Sequence, residues 1–314
     1  MFAIIISKET TMTDDKFTNQ NFTLDVGDGH KLHVVDWGNQ QAKTPFIFLH
    51  GGPGGSVEDR HKLPFDPVKH RVIFFDQRGC GKSTPYGLLK NNTTEDLIND
   101  ITKIADHLKI TKFHLYGYSW GSTLALCYTI QHPEKIQTLV IGGVYGGAND
   151  FSEMLDRFKT FFPEVYANVL ADTPKEYHKN LTKYLQTTAL KGTPKEKKRA
   201  CHAIGTTEFT IANYDSDTCS PGPYEDFDPI PTQIETHYIS NNCFLPEENY
   251  ILNHVTEIKC PVYIVQGRSD LVCPPEFAYQ ISQKLPHAQL FWANSNHHKE
   301  RELNSIFRTI CAML

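Results

Sequence analysis

The chain has 314 residues, 39 % of them hydrophobic and 21 % charged, with a formal net charge of −5. That length supports one large core with a smaller appended unit, and the composition excludes a disordered, fibrous or membrane-embedded chain. A mildly acidic chain has no electrostatic reason to seek nucleic acid or an anionic membrane, and the short basic run Lys195–Arg199, interrupted by Glu196, reads as a solvated helix face.

The N-terminal apolar run, Phe2–Ile6, is too short for a signal segment or a bilayer span, and Met12 is a candidate true start. Eight cysteines stand at 80, 127, 201, 219, 243, 260, 273 and 311, with no Cys-x-x-Cys pair to suggest zinc or redox chemistry. Cys127 lies in the apolar run 124–128 and reads as a buried thiol. The expectation is a reduced, cytoplasmic protein.

In chain order, Lys31–Val35 reads as an antiparallel edge strand. Phe46–Leu49 is a buried strand running into the loop His50-Gly-Gly-Pro-Gly-Gly55. Val72–Phe75 is a second strand, ending in Asp76-Gln-Arg-Gly-Cys-Gly81. Asn92-Thr-Thr-Glu95 starts a helix, and Leu97, Ile101, Ile104, Ala105 and Leu108 follow at helical spacing. Phe113–Tyr116 is a strand that runs into Gly117-Tyr-Ser-Trp-Gly121 and a helix to about Gln131. Thr138–Ile141 is the next strand. From 148 to about 254 the strand–helix alternation stops and the text is helical and irregular. It resumes with strand Val262–Val265, helix Pro275–Leu285, strand Gln289–Trp292 and a last helix. Alternating strands and helices imply right-handed crossovers and a mainly parallel sheet. The expected organisation is a core at 1–147 and 255–314 interrupted by a helical cap at 148–254.

Gly117-Tyr-Ser-Trp-Gly121 fits the nucleophile elbow, in which a serine sits on a tight strand-to-helix turn and the flanking glycines relieve clashes. A serine hydroxyl needs a base. The order Ser, acid, His of an α/β-hydrolase is met by Asp270, just past a strand end in Gly267-Arg-Ser-Asp270, and by His297 after the last strand. His298 is the rival base. The Gly-rich loop at 50–54 offers backbone N–H groups for an oxyanion hole. Gly79-Cys-Gly-Lys-Ser83 only superficially resembles a phosphate loop, since its glycine spacing is wrong.

His50-Gly-Gly-Pro-Gly54, Asp76-Gln-Arg-Gly-Cys-Gly-Lys-Ser83, Asn91-Asn-Thr-Thr94, Gly117-Tyr-Ser-Trp-Gly-Ser122 and Gly267-Arg-Ser-Asp270 together resemble the prolyl iminopeptidase family of α/β-hydrolases. The resemblance runs from about Gly27 to the last helix. It implies a cofactor-free, metal-free serine peptidase that takes small peptides with a free N-terminus and releases the first residue, proline foremost. It further implies Ser119 as nucleophile, Asp270 as acid, His297 as base, and the backbone N–H groups of Gly52 and Trp120 as oxyanion hole. Within Ile234-Glu-Thr-His-Tyr238, it implies Glu235 as the ligand of the substrate ammonium.

Three stretches depart from the family pattern. A second ammonium-binding glutamate, usually after a tryptophan, is replaced in His202-Ala-Ile-Gly-Thr-Thr-Glu-Phe209, where Gly205 or Thr206 aligns with it and Glu208 is shifted. Weaker or rearranged ammonium recognition is expected. Tyr145 matches one residue of the aromatic wall around the proline ring, but Glu153-Met-Leu-Asp156 replaces the aromatic run after it, so a looser pocket is expected. Asn296-His297-His298 replaces Gly-His-Ser, and a left-handed backbone at Asn296 would preserve the turn. A broader-specificity aminopeptidase, or an esterase or amidase of the same fold, is the alternative enzyme, and a non-catalytic binding protein on the same scaffold is the alternative outside enzymes.

Overall fold

The computed structural model describes residues 12–147, 150–214, 223–297 and 300–314. His298, Cys219 and the segment preceding Met12 lie outside these. Among the described residues, eight strands form one sheet: β1 (Thr18–Gly27), β2 (His30–Gly38), β3 (Phe46–Leu49), β4 (Arg71–Phe75), β5 (Phe113–Tyr118), β6 (Ile136–Gly142), β7 (Val262–Gly267) and β8 (Ala288–Ala293). Their order is β1-β2-β4-β3-β5-β6-β7-β8. β1 and β2 pair antiparallel, as do β2 and β4, and the remaining pairs are parallel. Lys31–Val35 is therefore not the edge. β1 takes that place, mostly exposed, with Phe22, Leu24 and Val26 alternating toward the core.

Side chains alternate across the sheet as strand geometry requires. Ile47, Leu49, Ile73, Leu115, Leu139 and Ile264 face one core. That core also holds residues of α1 (Thr94–His107), α2 (Trp120–Gln131) and, further along the chain, the helix at Pro275–Lys284. Phe46, Phe48, Phe74, Tyr116 and Val265 face the other core, with residues of the C-terminal helix. All four side chains of β3 are buried, each worth roughly 1.5–3 kcal/mol relative to exposure. α1 starts on a capping box between Thr93 and Asp96 and buries Leu97, Ile98, Ile101, Ile104 and Ala105.

Between β6 and β7 the chain forms α3 (Asp150–Phe161), α4 (Pro163–Ala171), α5 (Leu181–Lys191), α6 (Pro194–Ala212), α7 (Ile230–Ile239) and α8 (Tyr250–His254). α5 packs on α6 and α7, α3 packs on α6, and α8 packs against α2. α9 (Pro275–Lys284) and α10 (Glu300–Met313) complete the chain.

β3 has β4 on one side and β5 on the other, so the loops leaving β3 and β5 diverge around a crevice at the carboxyl ends of the strands. Open α/β sheets bind ligands at such a switch point. The β3 loop carries His50–Gly55 and the β5 turn carries Ser119.

Candidate active site

Ser119 stands between β5 and α2 with φ 55° and ψ −128°, a conformation that non-glycine residues rarely adopt. The turn closes because its neighbours lack side chains. A Cβ on Gly117 would overlap the carbonyl of Gly121, and one on Gly121 would overlap the carbonyl of Leu49. Trp120 is the first residue of α2, so its N–H has no intrahelical acceptor.

A hydrogen-bonded chain runs from this serine. His297 Nε2 lies 3.2 Å from Ser119 Oγ, and His297 Nδ1 lies 2.8 Å from Asp270 Oδ2. A carboxylate only accepts, so Nδ1 carries the proton and Nε2 is free to accept from the serine. Asp270 is held in turn: Oδ1 accepts from the backbone N–H groups of Val272 (3.0 Å) and Cys273 (2.8 Å), and Oδ2 from Gln266 Nε2–H (3.3 Å). Burial pulls the His297 imidazole down, but the charge and hydrogen bond of Asp270 more than offset this, and its pKa lies above the ordinary value of 6.5. The loops bearing Asp270 and His297 touch at Gly267, where a Cβ would come within 2.6 Å of Ser295 O. Asn296 is not among the positive-φ residues, so the left-handed turn expected there does not form. Asp270, Cys273 and His297 also bring metal-ligand atoms within 4.8 Å of one another, with Asp270 and His297 already bonded to each other.

The Gly-rich loop is fixed by the residues after β4. Trp120 Nε1–H donates to Gln77 Oε1 (3.0 Å), Gln77 Nε2–H donates to His50 O (3.0 Å), and the Gln77 N–H donates to His50 Nε2 (3.0 Å). Burial holds His50 below its usual pKa against the opposing charge of Asp76, which keeps Nε2 available as an acceptor. Asp76 accepts from the N–H groups of Val57 (2.8 Å) and Lys82 (2.9 Å). Its carboxylate fills the turn at Gly81 where a phosphate would have to sit. Arg78 is buried and forms a two-pronged ion pair with Asp100 (2.7 and 2.8 Å), tying this loop to α1. The motif at 76–83 is thus the brace of the 50–55 loop. Gly51 packs so close to the nucleophile that a Cβ there would lie 3.2 Å from Ser119 Cβ, and Gly52 lines the cavities beside Ser119.

Two cavities meet at Ser119. The smaller, about 30 Å³, is bounded by Pro53, Tyr145, Met154, Ile239, Val272 and Cys273, with Glu208 and Glu235 in its wall. Tyr145 is anchored through its backbone, its N–H donating to Ser122 Oγ (3.1 Å) and its carbonyl accepting from Thr123 Oγ1–H (2.7 Å). Met154, from the stretch Glu153–Asp156 that replaces the aromatic run, is an unbranched, adaptable side chain that is buried and lines this cavity.

Glu208 is the residue that sequence alignment displaced. Gly205 packs against Phe227, and Glu208 projects from the same face of α6 one turn later. Its side chain opens partly onto the cavity yet lies deep beneath the protein surface, next to the Glu235 carboxyl. Burial and then the neighbouring charge of Glu208 drive Glu235 well above the ordinary carboxyl range, and burial raises Glu208 as well. Two carboxyls packed this closely retain a proton between them. The i, i+3 relation between Gly205 and Glu208 was the signal available in the sequence.

A mostly parallel sheet, a serine on a strand-to-helix turn and a hydrogen-bonded Ser–His–Asp chain define a hydrolase of the α/β type. The chain matches the alpha/beta hydrolase fold family over residues 44–298. It is 34 % identical over 285 residues to a proline iminopeptidase of Arabidopsis thaliana, covering 85 % of this chain and 72 % of that one. It is also 34 % identical to a proline iminopeptidase of Xylella fastidiosa, covering 92 % and 94 %. The solved structure of VinJ superposes with a TM-score of 0.66 at 17 % identity, covering 94 % of this chain and 98 % of that chain, a likeness of fold. The chain belongs to the proline iminopeptidase family of α/β-hydrolases. No described helix is long and apolar enough to cross a membrane.

Proposed function

We propose that this protein is a serine exopeptidase that releases an N-terminal residue, preferably proline, from small peptides. The observation that carries the reading is the pair of buried carboxyls, Glu208 and Glu235, in the wall of the small cavity that opens on Ser119. A buried pair of acids has no structural advantage unless a cation joins it. A substrate ammonium is that cation. It displaces the retained proton and fixes the first residue with its carbonyl over Ser119.

The chemistry follows. His297 Nε2 takes the Ser119 proton as Oγ attacks the carbonyl. The oxyanion forms against the N–H groups of Gly52 and Trp120, and Asp270 stabilises the imidazolium. His297 then protonates the departing amine, leaving the acyl-enzyme, and water repeats the sequence to free the amino acid. Tyr145 and Met154 confine the side chain to a space suited to a small ring. Helical segment 148–254 serves as the cap that brings Glu208 and Glu235 over the serine. No metal or cofactor takes part in these steps. Cys80, Cys127, Cys201, Cys260 and Cys311 are free thiols, which fits a reducing cytoplasm.

The reading is tested by incubating the protein with Pro-Ala-Ala and Ala-Pro-Ala and identifying products by mass spectrometry. Release of free proline from the first, abolished by Ser119→Ala, is expected. Cleavage at internal bonds, or of simple acyl esters alone, would contradict it.

A further inference from the structure

The second and larger cavity at Ser119 is not used by the ammonium. It measures about 250 Å³ and is walled on its apolar side by Phe48, Pro64, Tyr116, Tyr118, Leu303 and Phe307. Phe48 and Tyr116 stack at 5.3 Å, and Phe307 meets Tyr116 at 4.9 Å, so the rings pack on one another while also bordering open space. Gly52, Ser119 and Glu208 line both cavities. Glu235 lines only the small one and His297 only the large one.

That division assigns the two sides of the reacting bond. The ammonium lies with Glu235. The departing amine must lie within reach of His297 Nε2, its proton donor, and therefore on the side of the large cavity. We propose that this aromatic chamber is the subsite for the side chain of the second residue, and that it makes the enzyme prefer a bulky apolar residue immediately after the scissile bond. The proposal rests on the exopeptidase reading above.

The chemistry of the walls supports an apolar occupant. Phe48, Tyr116, Tyr118 and Phe307 present rings to it, and an apolar or ring side chain entering among them sheds its hydration against matching groups. Polar groups border it as well: Ser56, Asn304 and Glu208 line the wall, and Glu58 and Arg60 form an ion pair at 2.7 Å, so they offset each other's charge toward an incoming ligand. His61 is held well below its usual pKa by burial and then by the charge of Arg60, and so stays neutral. A glycine in the second position would leave the chamber unfilled.

The test is proline release from Pro-Phe-NH2, Pro-Leu-NH2 and Pro-Gly-NH2, the amides removing any effect of a free carboxylate. The wild-type kcat/KM is expected to favour the Phe and Leu peptides over the Gly peptide by about tenfold or more. Leu303→Trp, which fills the chamber from α10, should bring the ratio toward one. Ser56→Trp does the same from a half-buried loop position that tolerates substitution better and carries the readout if the first variant does not fold. Equal wild-type rates on the Phe and Gly peptides, or a ratio unchanged in a folded variant, would overturn the subsite while leaving the exopeptidase standing. No proline from any of the three would overturn both.

Discussion

Glu208 on α6 and Glu235 on α7 lie side by side in the wall of the cavity beside Ser119, although the sequence around Glu208 lacks the pattern that usually supplies the second acid. Helical phase compensates for the shift. Glu208 lies one turn beyond Gly205 and projects from the same face of α6 toward the cavity. On the proposed reading the pair makes the site specific for a cation, and burying it costs the empty protein stability. These two consequences can be measured separately.

Removing one acid should damage binding of amine-bearing substrates. Glu235→Gln and Glu208→Gln should each lower kcat/KM for prolyl amides by about 10²-fold or more, since an ammonium buried without its full partner set is strongly destabilised. Hydrolysis of short acyl esters, which have no ammonium, should stay within about threefold of wild type. Parallel steady-state assays on the two substrate types check this, and equal losses on both would remove the ammonium role.

The same substitution should stabilise the unliganded protein. Between the ordinary carboxyl value of 4.5 and the raised value of Glu235, the folded chain holds a proton that the unfolded chain has released, so stability falls as pH rises through that window. Glu235→Gln abolishes the effect. Its Tm should exceed that of wild type by about 2 °C or more at pH 8, and the gap should close near pH 4.5. Thermal melts at the two pH values decide it.

Activity requires neutral His297. Because Asp270 holds the imidazole above 6.5, the acid limb of kcat/KM should fall at a pH above that of an ordinary histidine. Asp270→Asn should lower kcat by about 10⁴-fold through loss of the tautomer and of imidazolium stabilisation. It should also shift the limb to lower pH. A rate flat from pH 5 to 9 in wild type would contradict a histidine base.

Arg78 and Asp100 predict a stability effect away from the chemistry. Arg78→Ala leaves Asp100 buried without its cation and should cost about 3–5 kcal/mol, read from the urea midpoint. The brace behind His50 would loosen with it, so activity should fall before global unfolding.

Elements with strong local signals were legible in the sequence. The four-residue apolar run of β3, the capping box of α1 and the glycines flanking Ser119 each reflect a local constraint that few other structures satisfy. Asp270 and His297 were legible from chain order and strand position together. β1 was less legible: Phe22, Leu24 and Val26 do alternate with polar residues, but its first half, Thr18–Asn21, is polar throughout. Glu208 was only partly legible: its spacing from Gly205 puts both on one face of α6, but its pairing with Glu235 depends on the phase of α6 against α7, a tertiary relation. The aromatic chamber was equally hidden, since Phe48, Tyr116 and Phe307 read as ordinary core positions and only packing shows that they also border open space.

The central claim is that a free N-terminal ammonium, held by Glu208 and Glu235, positions the scissile bond at Ser119. It is tested most directly by comparing hydrolysis of prolyl-p-nitroanilide with that of its N-acetylated counterpart. The account predicts rapid cleavage of the first and a loss of about 10²-fold or more on the second, whose amide nitrogen carries no charge for the acid pair. Comparable rates on both would leave the serine, histidine and aspartate as a hydrolytic triad but would contradict recognition of the N-terminus.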